Sequence, residues 1–499
     1  MYLTFDVGTT SMKTCVFDRE FTLIFSHTAE YDLLYPEKNR VELPAEQYWQ
    51  ALKRGIAAAL AAGISGQQLR VITITTQGET LIPVDRGGNP LTNAIIWLDS
   101  RAEAEAAALN AALEPDAFFR TTGMTELTGA TPIAKLMWLR LHRPEVFAQT
   151  HRFLLLEDYL IYRLTDSMVS EHSLLSSTGY LDILKNEYWE QILDLAGIPR
   201  QLLNPILPCG TRVSGVSPEA AAQTGLSAGT PVATGAMDQI AGALGAGNIC
   251  PGVITETTGT CLALGATAKV PDFDAAAGKF SIYRHFDEQY IYLPYDPTAA
   301  IILKWFKENF MRQLAVECEA SGESVYGRMD QLAELSGPGA KGLLLIPHFS
   351  GKLVPEGNPD AKGVFYGVGL DTTPADFIRA ILESVGFMLR ENLESLRAAG
   401  IPVREVRALG GGSRSDLWMQ IKADICQTPF IRTGQSEATS LGAAMLGALA
   451  LGDYPDARTL CDTCGQTERV FLPDRPVYEG GYQKYLALYE ALKPIFAME

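Results

Sequence analysis

Leu3-Thr4-Phe5-Asp6-Val7-Gly8-Thr9-Thr10-Ser11-Met12-Lys13-Thr14-Cys15-Val16-Phe17-Asp18 reads as a strand, a tight Gly/Thr turn and a second strand. About half a chain later, Gly252-Val253-Ile254-Thr255-Glu256-Thr257-Thr258-Gly259-Thr260-Cys261-Leu262-Ala263-Leu264-Gly265 reads the same way. Two unrelated hairpins would also give such a pair. A duplicated fold accounts for more, because each turn puts Thr hydroxyls and flexible Gly backbone where a phosphate can approach closely. Together the turns point to two similar domains facing one nucleotide, with the boundary near Asn248-Ile249-Cys250-Pro251-Gly252.

Outward from these turns, strand-like runs such as Val71-Ile72-Thr73-Ile74-Thr75 and Pro231-Val232-Ala233-Thr234 alternate with helical patterns over 45–62 and 102–113, which is α/β organisation. In the second half, 374–396 predicts a long amphipathic helix and 416–426 a shorter one. Between them Val406-Arg407-Ala408-Leu409, a buried-strand candidate, runs into Gly410-Gly411-Gly412.

Composition sets the limits. The length of 499 residues favours two or three domains, and 47% hydrophobic with 20% charged residues is globular. A net charge of −17 argues against nucleic acid as a partner, although backbone N–H groups and a metal can still hold a small phosphorylated ligand. The start of the chain lacks a signal-peptide pattern, and no run reaches the ~18 apolar residues of a membrane span. The Gly/Ala-rich stretch 441–451 reads as a buried helix. A cytoplasmic protein is expected. Eight scattered cysteines fit a reducing compartment, and Cys461-Asp462-Thr463-Cys464 is expected on a surface loop in preference to a metal or redox site.

The chemistry centres on Thr234-Gly235-Ala236-Met237-Asp238-Gln239, followed by a small-residue helix over 240–247. An apolar strand that ends in glycine and then presents a carboxylate puts Asp238 at the carboxyl edge of a sheet, where open α/β folds bind ligands. An Asp here can equally be a helix N-cap. Phosphoryl transfer needs an aligned hydroxyl, a proton acceptor and positive charge on the phosphates. Asp238 is the candidate acceptor, and Asp6 and Asp238 are candidate Mg²⁺ ligands, largely through water. Lys13 is the candidate for a terminal phosphate, a solvated surface lysine being the alternative. Gly410, Gly411 and Gly412 let a ligand lie on backbone, and a helix starting near Ser415 or Asp416 adds its positive end. The same triplet also fits a flexible turn.

Other patterns fail on context. Gly225-Leu226-Ser227-Ala228-Gly229 precedes a strand instead of following one, which argues against a hydrolase nucleophile. Gly278-Lys279 and Gly351-Lys352 continue with Phe280 and Leu353, so neither is a Walker A loop. The six histidines show no metal-ligand spacing.

These residues resemble the FGGY family of carbohydrate kinases within the actin-like ATPase superfamily. Asp6-Val7-Gly8-Thr9-Thr10 resembles its first phosphate motif, Thr257-Thr258-Gly259-Thr260 its second, and 409–416 its adenosine motif. Gly235-Ala236-Met237-Asp238-Gln239 resembles the segment with its catalytic aspartate. Thr131-Pro132-Ile133-Ala134-Lys135-Leu136-Met137-Trp138-Leu139, and Gly363-Val364-Phe365-Tyr366-Gly367-Val368-Gly369 leading to Ala380-Ile381-Leu382-Glu383, resemble its signature regions. The resemblance implies two ribonuclease-H-like (actin-like ATPase) domains with an interdomain cleft: a sugar-binding domain over 1–247 and an ATP-binding domain over 248–499. It implies ATP with Mg²⁺, phosphates held by Gly8, Thr9, Thr10, Lys13, Thr258, Gly259 and Thr260, and the nucleotide further held by Gly410, Gly411, Gly412 and Asp416. Kinases resembling this one are often dimers, so a homodimer is one expected state.

The family's sugar-reading region falls on Thr76-Gln77-Gly78-Glu79-Thr80 and Asn93-Ala94-Ile95-Ile96-Trp97-Leu98-Asp99-Ser100-Arg101. Xylulose kinases tend to carry Gln-Met-His, and glycerol kinases Gln-Arg-Glu-Thr, where this chain has Gln77-Gly78-Glu79-Thr80. Losing the guanidinium at Gly78 removes donors and leaves space for a larger substrate. A pentulose such as xylulose is therefore expected, with glycerol, another polyol or gluconate as alternatives. Gln77, Glu79, Trp97, Asp238 and Gln239 are the expected substrate contacts. Two other classes compete: an actin-like ATPase whose cleft drives conformational change, and a sugar-binding regulator without activity.

Overall fold

The computed structural model describes residues 1–434, 437–464 and 467–498. Its first large sheet contains β1 (Tyr2–Val7), β2 (Ser11–Phe17), β3 (Leu23–Glu30), β4 (Val71–Thr76), β5 (Arg212–Gly215) and β6 (Pro231–Ala233), in the order β5-β6-β4-β1-β2-β3. β1, β2 and β3 are joined as antiparallel neighbours, whereas β4 and β6 run parallel to β1. Every residue of β4 is buried, as expected of a central strand covered on both faces.

The second large sheet repeats this plan. Its strands β7 (Gly252–Thr258), β8 (Leu262–Ala268), β9 (Ser281–Arg284), β10 (Tyr290–Leu293), β11 (Val403–Leu409), β12 (Phe430–Thr433) and β13 (Thr467–Phe471) lie in the order β9-β10-β8-β7-β11-β12-β13. β7 and β8 form the antiparallel hairpin, and β11 and β12 run parallel to β7. The sequence β3-β2-β1-β4-β6 of the first sheet thus matches β10-β8-β7-β11-β12 of the second.

Of the helices α1 (Asp238–Gly245), α2 (Pro374–Ala398), α3 (Asp416–Cys426) and α4 (Ala438–Ala450), α2 and α3 pack within the second half, and α1 and α4 bring the halves together. α1 and α4 cross with their backbones in contact. A Cβ on Gly442 would lie 1.8 Å from the Ala241 carbonyl oxygen, and one on Gly245 1.9 Å from that of Ala438. Small residues at this crossing are therefore a steric requirement. α4 also lies on the first sheet, where a Cβ on Gly447 would meet Thr73 and Val71 of β4. Just beyond α4, Asp453 is paired with Arg70 and accepts from the Tyr2 hydroxyl. A late segment of the chain is thus bound to the first sheet.

Two details differ from the sequence reading. Asp238 opens α1 as its first residue, with Met237 at the N-cap, so it is no N-cap itself. Cys461 and Cys464 lie buried on a helix, Ala457–Cys464, and not on a surface loop, because its apolar face packs inward through Ala457 and Leu460.

Candidate active site

The strands that flank the two hairpin turns contribute Asp6, Lys13, Thr255, Thr257 and Ala263 to one cavity, whereas the turn residues Gly8, Thr9, Thr10, Gly259 and Thr260 are outside its lining. This cavity of about 520 Å³ is lined by Asp6, Lys13, Asp238 and Gln239 from the first half and by Thr257, Gly410, Gly411 and Arg414 from the second. β1 delivers Asp6 just before its turn, and the turn after β6 delivers Asp238 at the start of α1. Burial pushes the Asp238 carboxyl up to about 6. Burial, with Asp238 as the next cause, pushes that of Asp6 up to about 7. Asp238 accepts the N–H of its own neighbour Gln239 at 2.7 Å, and no described residue hydrogen-bonds the Asp6 carboxylate. Two carboxylates lining one cavity, with Asp238 raising Asp6 and Lys13 only partly opposing that rise, suit a hydrated divalent cation, so the donor set fits Mg²⁺ held by Asp6 and Asp238.

Lys13 also faces the cavity, but Glu437, just before α4, accepts from its ammonium at 2.5 Å. That pair joins the two halves across the crevice. Gly8 closes the first turn by donating its N–H to the Ser11 carbonyl, and Gly259 closes the second by donating to that of Cys261. Thr9 Oγ1 accepts from Trp97 Nε1 at 3.0 Å, tying the first turn to the 93–101 segment, while Thr10 and Thr260 are exposed.

Of the expected nucleotide contacts, Lys13, Gly410 and Gly411 line the cavity and the others are outside its lining. The Thr258 hydroxyl points into the interior, where it bonds Glu256 and accepts from Lys422 Nζ at 2.7 Å. Strand alternation is the reason: Thr255 and Thr257 face the cavity, and Glu256 and Thr258 face away. Asp416 is outside the cavity and paired with Arg432 and Arg469. Arg432 itself lines the cavity, so Asp416 stands one residue behind its wall. Gly410 and Gly411 are exposed on the cavity wall; Gly412 is buried, and its Cβ would lie 2.8 Å from that of Thr258.

In the segment over 76–80, Glu79 has a left-handed backbone (φ 64), a conformation that costs a non-glycine residue stability and is concentrated at functional sites. Burial raises its carboxyl, and the buried Lys135 ammonium opposes that rise. Lys135 Nζ donates to the carbonyls of Glu79 at 3.1 Å and Ile96 at 2.9 Å, which joins both parts of the segment. Gln77 is buried, with its Oε1 lacking a partner among the described residues. The place beside Gly78 is not simply vacant: an added Cβ would come within 2.9 Å of Ser177 Oγ and 3.4 Å of Met237 Sδ.

Sequence reading did not single out Glu437, Thr257 or the cation role of Lys135; Thr257 had a signal as part of the quoted 257–260 motif and Lys135 as part of the quoted 131–139 segment, whereas Glu437 had none. It also missed that folding brings Cys209 to the adjacent Glu171 and His172, their ligand-type atoms all within 4.8 Å of one another, since Cys209 is far along the chain from that pair. A larger depression of about 1030 Å³, lined by Arg404, Arg407 and Cys461 among others, contains none of Asp6, Asp238 and Gly410.

Residues 1–245 match the N-terminal domain, and residues 257–451 the C-terminal domain, of the FGGY family of carbohydrate kinases. The gluconokinase of Bacillus subtilis is 27% identical over 98% of this chain and 94% of its own length. A glycerol kinase of Trichlorobacter lovleyi is 31% identical over 94% of each chain. The crystal structure of xylulose kinase from Rhodospirillum rubrum superposes with a TM-score of 0.89 at 28% identity, covering 99% of both chains. The two sheets are therefore the cores of two ribonuclease-H-like, actin-like domains, and the chain belongs to the FGGY family of carbohydrate kinases, as a sugar kinase that transfers phosphate to an alcohol group.

Proposed function

We propose that this kinase transfers the γ-phosphoryl group of ATP to a hydroxyl of a pentulose such as xylulose, with Asp238 accepting the proton of that hydroxyl. The supporting observation is the shared cavity: Asp6 and Asp238 face Thr257, Gly410 and Gly411 across it. Mg²⁺ held by Asp6 and Asp238 would offset the charge of the phosphates. The turn backbones at Gly8, Thr9, Thr10, Gly259 and Thr260 position the phosphate chain, with Lys13 nearby. Gly410 and Gly411 bear the rest of the nucleotide. Gln77, Glu79, Trp97 and Gln239 form the acceptor side. Thr258, Gly412 and Asp416 support these walls from behind.

We assign residues 1–247 to a sugar-binding domain and 248–499 to an ATP-binding domain, with α4 as the element that closes one onto the other. A cytoplasmic homodimer using soluble ATP belongs to the same proposal. Pentulose is preferred over glycerol because Gly78 lacks a guanidinium, although Ser177 and Met237 take up part of that space. Sugar-dependent ADP release across xylulose, ribulose, gluconate and glycerol tests the assignment. Clear preference for glycerol over every larger acceptor would overturn it.

A further inference from the structure

The three residues before Asp238 form no regular strand, yet each is held by a buried side chain from elsewhere in the chain. β6 ends at Ala233, and pairing with β4 resumes only at the Thr76–Met237 bridge. Gly235 is pressed so close to β4 that a Cβ there would lie 1.8 Å from the Ile74 carbonyl oxygen. The backbone groups of this irregular stretch need partners, because an unpaired buried N–H or C=O is costly. The Gly235 N–H donates to Glu157 Oε1 at 2.8 Å. The Ala236 carbonyl accepts from Thr75 Oγ1 at 2.7 Å. The Met237 N–H donates to Ser173 Oγ at 3.0 Å.

Ser173 is itself oriented. Its hydroxyl proton is directed to Glu171 Oε1 at 2.8 Å, so a lone pair is what faces Met237. Glu171 in turn accepts from the Ser173 and Leu174 N–H groups and from Cys209 Sγ. Thr75, Glu157, Glu171 and Ser173 are all at most 1% exposed. Keeping Glu157 and Glu171 near one another in the interior costs stability, since burial and the Glu171 charge both raise the Glu157 carboxyl. That cost falls on the turn carrying one functional carboxylate.

We propose that Thr75, Glu157 and Ser173, the last oriented by Glu171, are positioning residues that fix Asp238 against the acceptor hydroxyl. The proposal rests on the assignment of Asp238 as the base. A displacement of about 1 Å in a reacting group costs up to about a hundredfold in rate, so loss of a single clamp is expected to lower kcat about tenfold. Glu157→Gln keeps an acceptor oxygen for Gly235 and is expected to recover most of what Glu157→Ala loses.

The test is ADP release with xylulose, or whichever panel acceptor the wild-type enzyme turns over fastest, together with the melting temperature and ADP affinity of each variant. Ser173→Ala, Thr75→Val and Glu157→Ala should each lower kcat about tenfold with KM for ATP changed less than about twofold. In an Asp238→Asn background the same changes should lower residual turnover less than about twofold. Unchanged kcat in Thr75→Val and Ser173→Ala, both conservative enough to fold if Glu157→Ala does not, overturns the proposal. A full further tenfold loss in the double variants overturns positioning and leaves the base assignment standing. Full turnover by Asp238→Asn alone overturns the base assignment and positioning with it.

Discussion

Asp238→Asn should make the protein less active and more stable at once, and the stability gain should depend on pH. Burial moves the carboxyl from its ordinary 3.8 to about 6. At 1.36 kcal/mol per pH unit that corresponds to roughly 3 kcal/mol, and the partial exposure of the side chain reduces it to about 1–2 kcal/mol. The sign follows from proton uptake. With the folded value above the unfolded one, the native state holds the extra proton between about pH 4 and pH 6, and wild-type stability falls as pH rises through that window. Asn has no such titration. In urea unfolding of the ligand-free, Mg²⁺-free protein, Asp238→Asn should therefore exceed wild type by about 1–2 kcal/mol at pH 7.5 and by a few tenths at pH 4.0. Its kcat at pH 7.5 should fall by about 10²–10⁴-fold, the usual worth of a general base. Equal stability at both pH values, or a gain of the same size at both, would refute the electrostatic reasoning. A retained kcat would refute the catalytic one.

Two further outcomes test the surrounding architecture. Lys422→Met strands Glu256 in the interior, where both partners of this 3.0 Å pair are fully buried; about 3–5 kcal/mol of stability should be lost in urea unfolding, and Lys422→Met with Glu256→Leu should regain much of it. Glu79→Gln weakens charge-assisted bonds to acceptor hydroxyls worth about 1.5–3 kcal/mol, so KM for the sugar should rise about 10–100-fold while ADP affinity stays put; an unchanged KM would remove Glu79 from the acceptor site.

The fold was legible where local pattern and tertiary demand agree. The helices expected over 374–396 and 416–426 form as Pro374–Ala398 and Asp416–Cys426, and the strand expected over 406–409 forms with an earlier start, as Val403–Leu409. Asp238 was legible because a strand, a glycine and a carboxylate in that order place the acid at a sheet edge. Thr258 was misjudged for a reason the sequence does not contain. Thr257 and Thr258 are equivalent as letters: alternation turns one of them inward, and the inner one is the one that meets Glu256 and, far along the chain on α3, Lys422. The clamps on the Asp238 turn have the same character. Glu157, Ser173 and Thr75 belong to three separate segments and share no spacing.

Alignment of the two hairpins on Gly8 and Gly259 shows what duplication supplies to the chemistry. Asp6 then corresponds to Thr257, and each lines the same cavity from its own half. Their cross-strand partners, Lys13 opposite Asp6 and Ala263 opposite Thr257, line it too. The repeat thus sets two equivalent positions on facing walls, and substitution has made them unequal. One wall bears a carboxylate and an ammonium, suited to a metal and to transferred charge. The other bears a hydroxyl and a methyl, which leave room for a phosphate chain to lie against backbone N–H groups. Exchange of these side chains, Asp6→Thr with Thr257→Asp, would preserve the fold's symmetry while moving the anion to the wrong wall. Loss of turnover by that swapped protein, with both hairpins intact, is what the asymmetry requires.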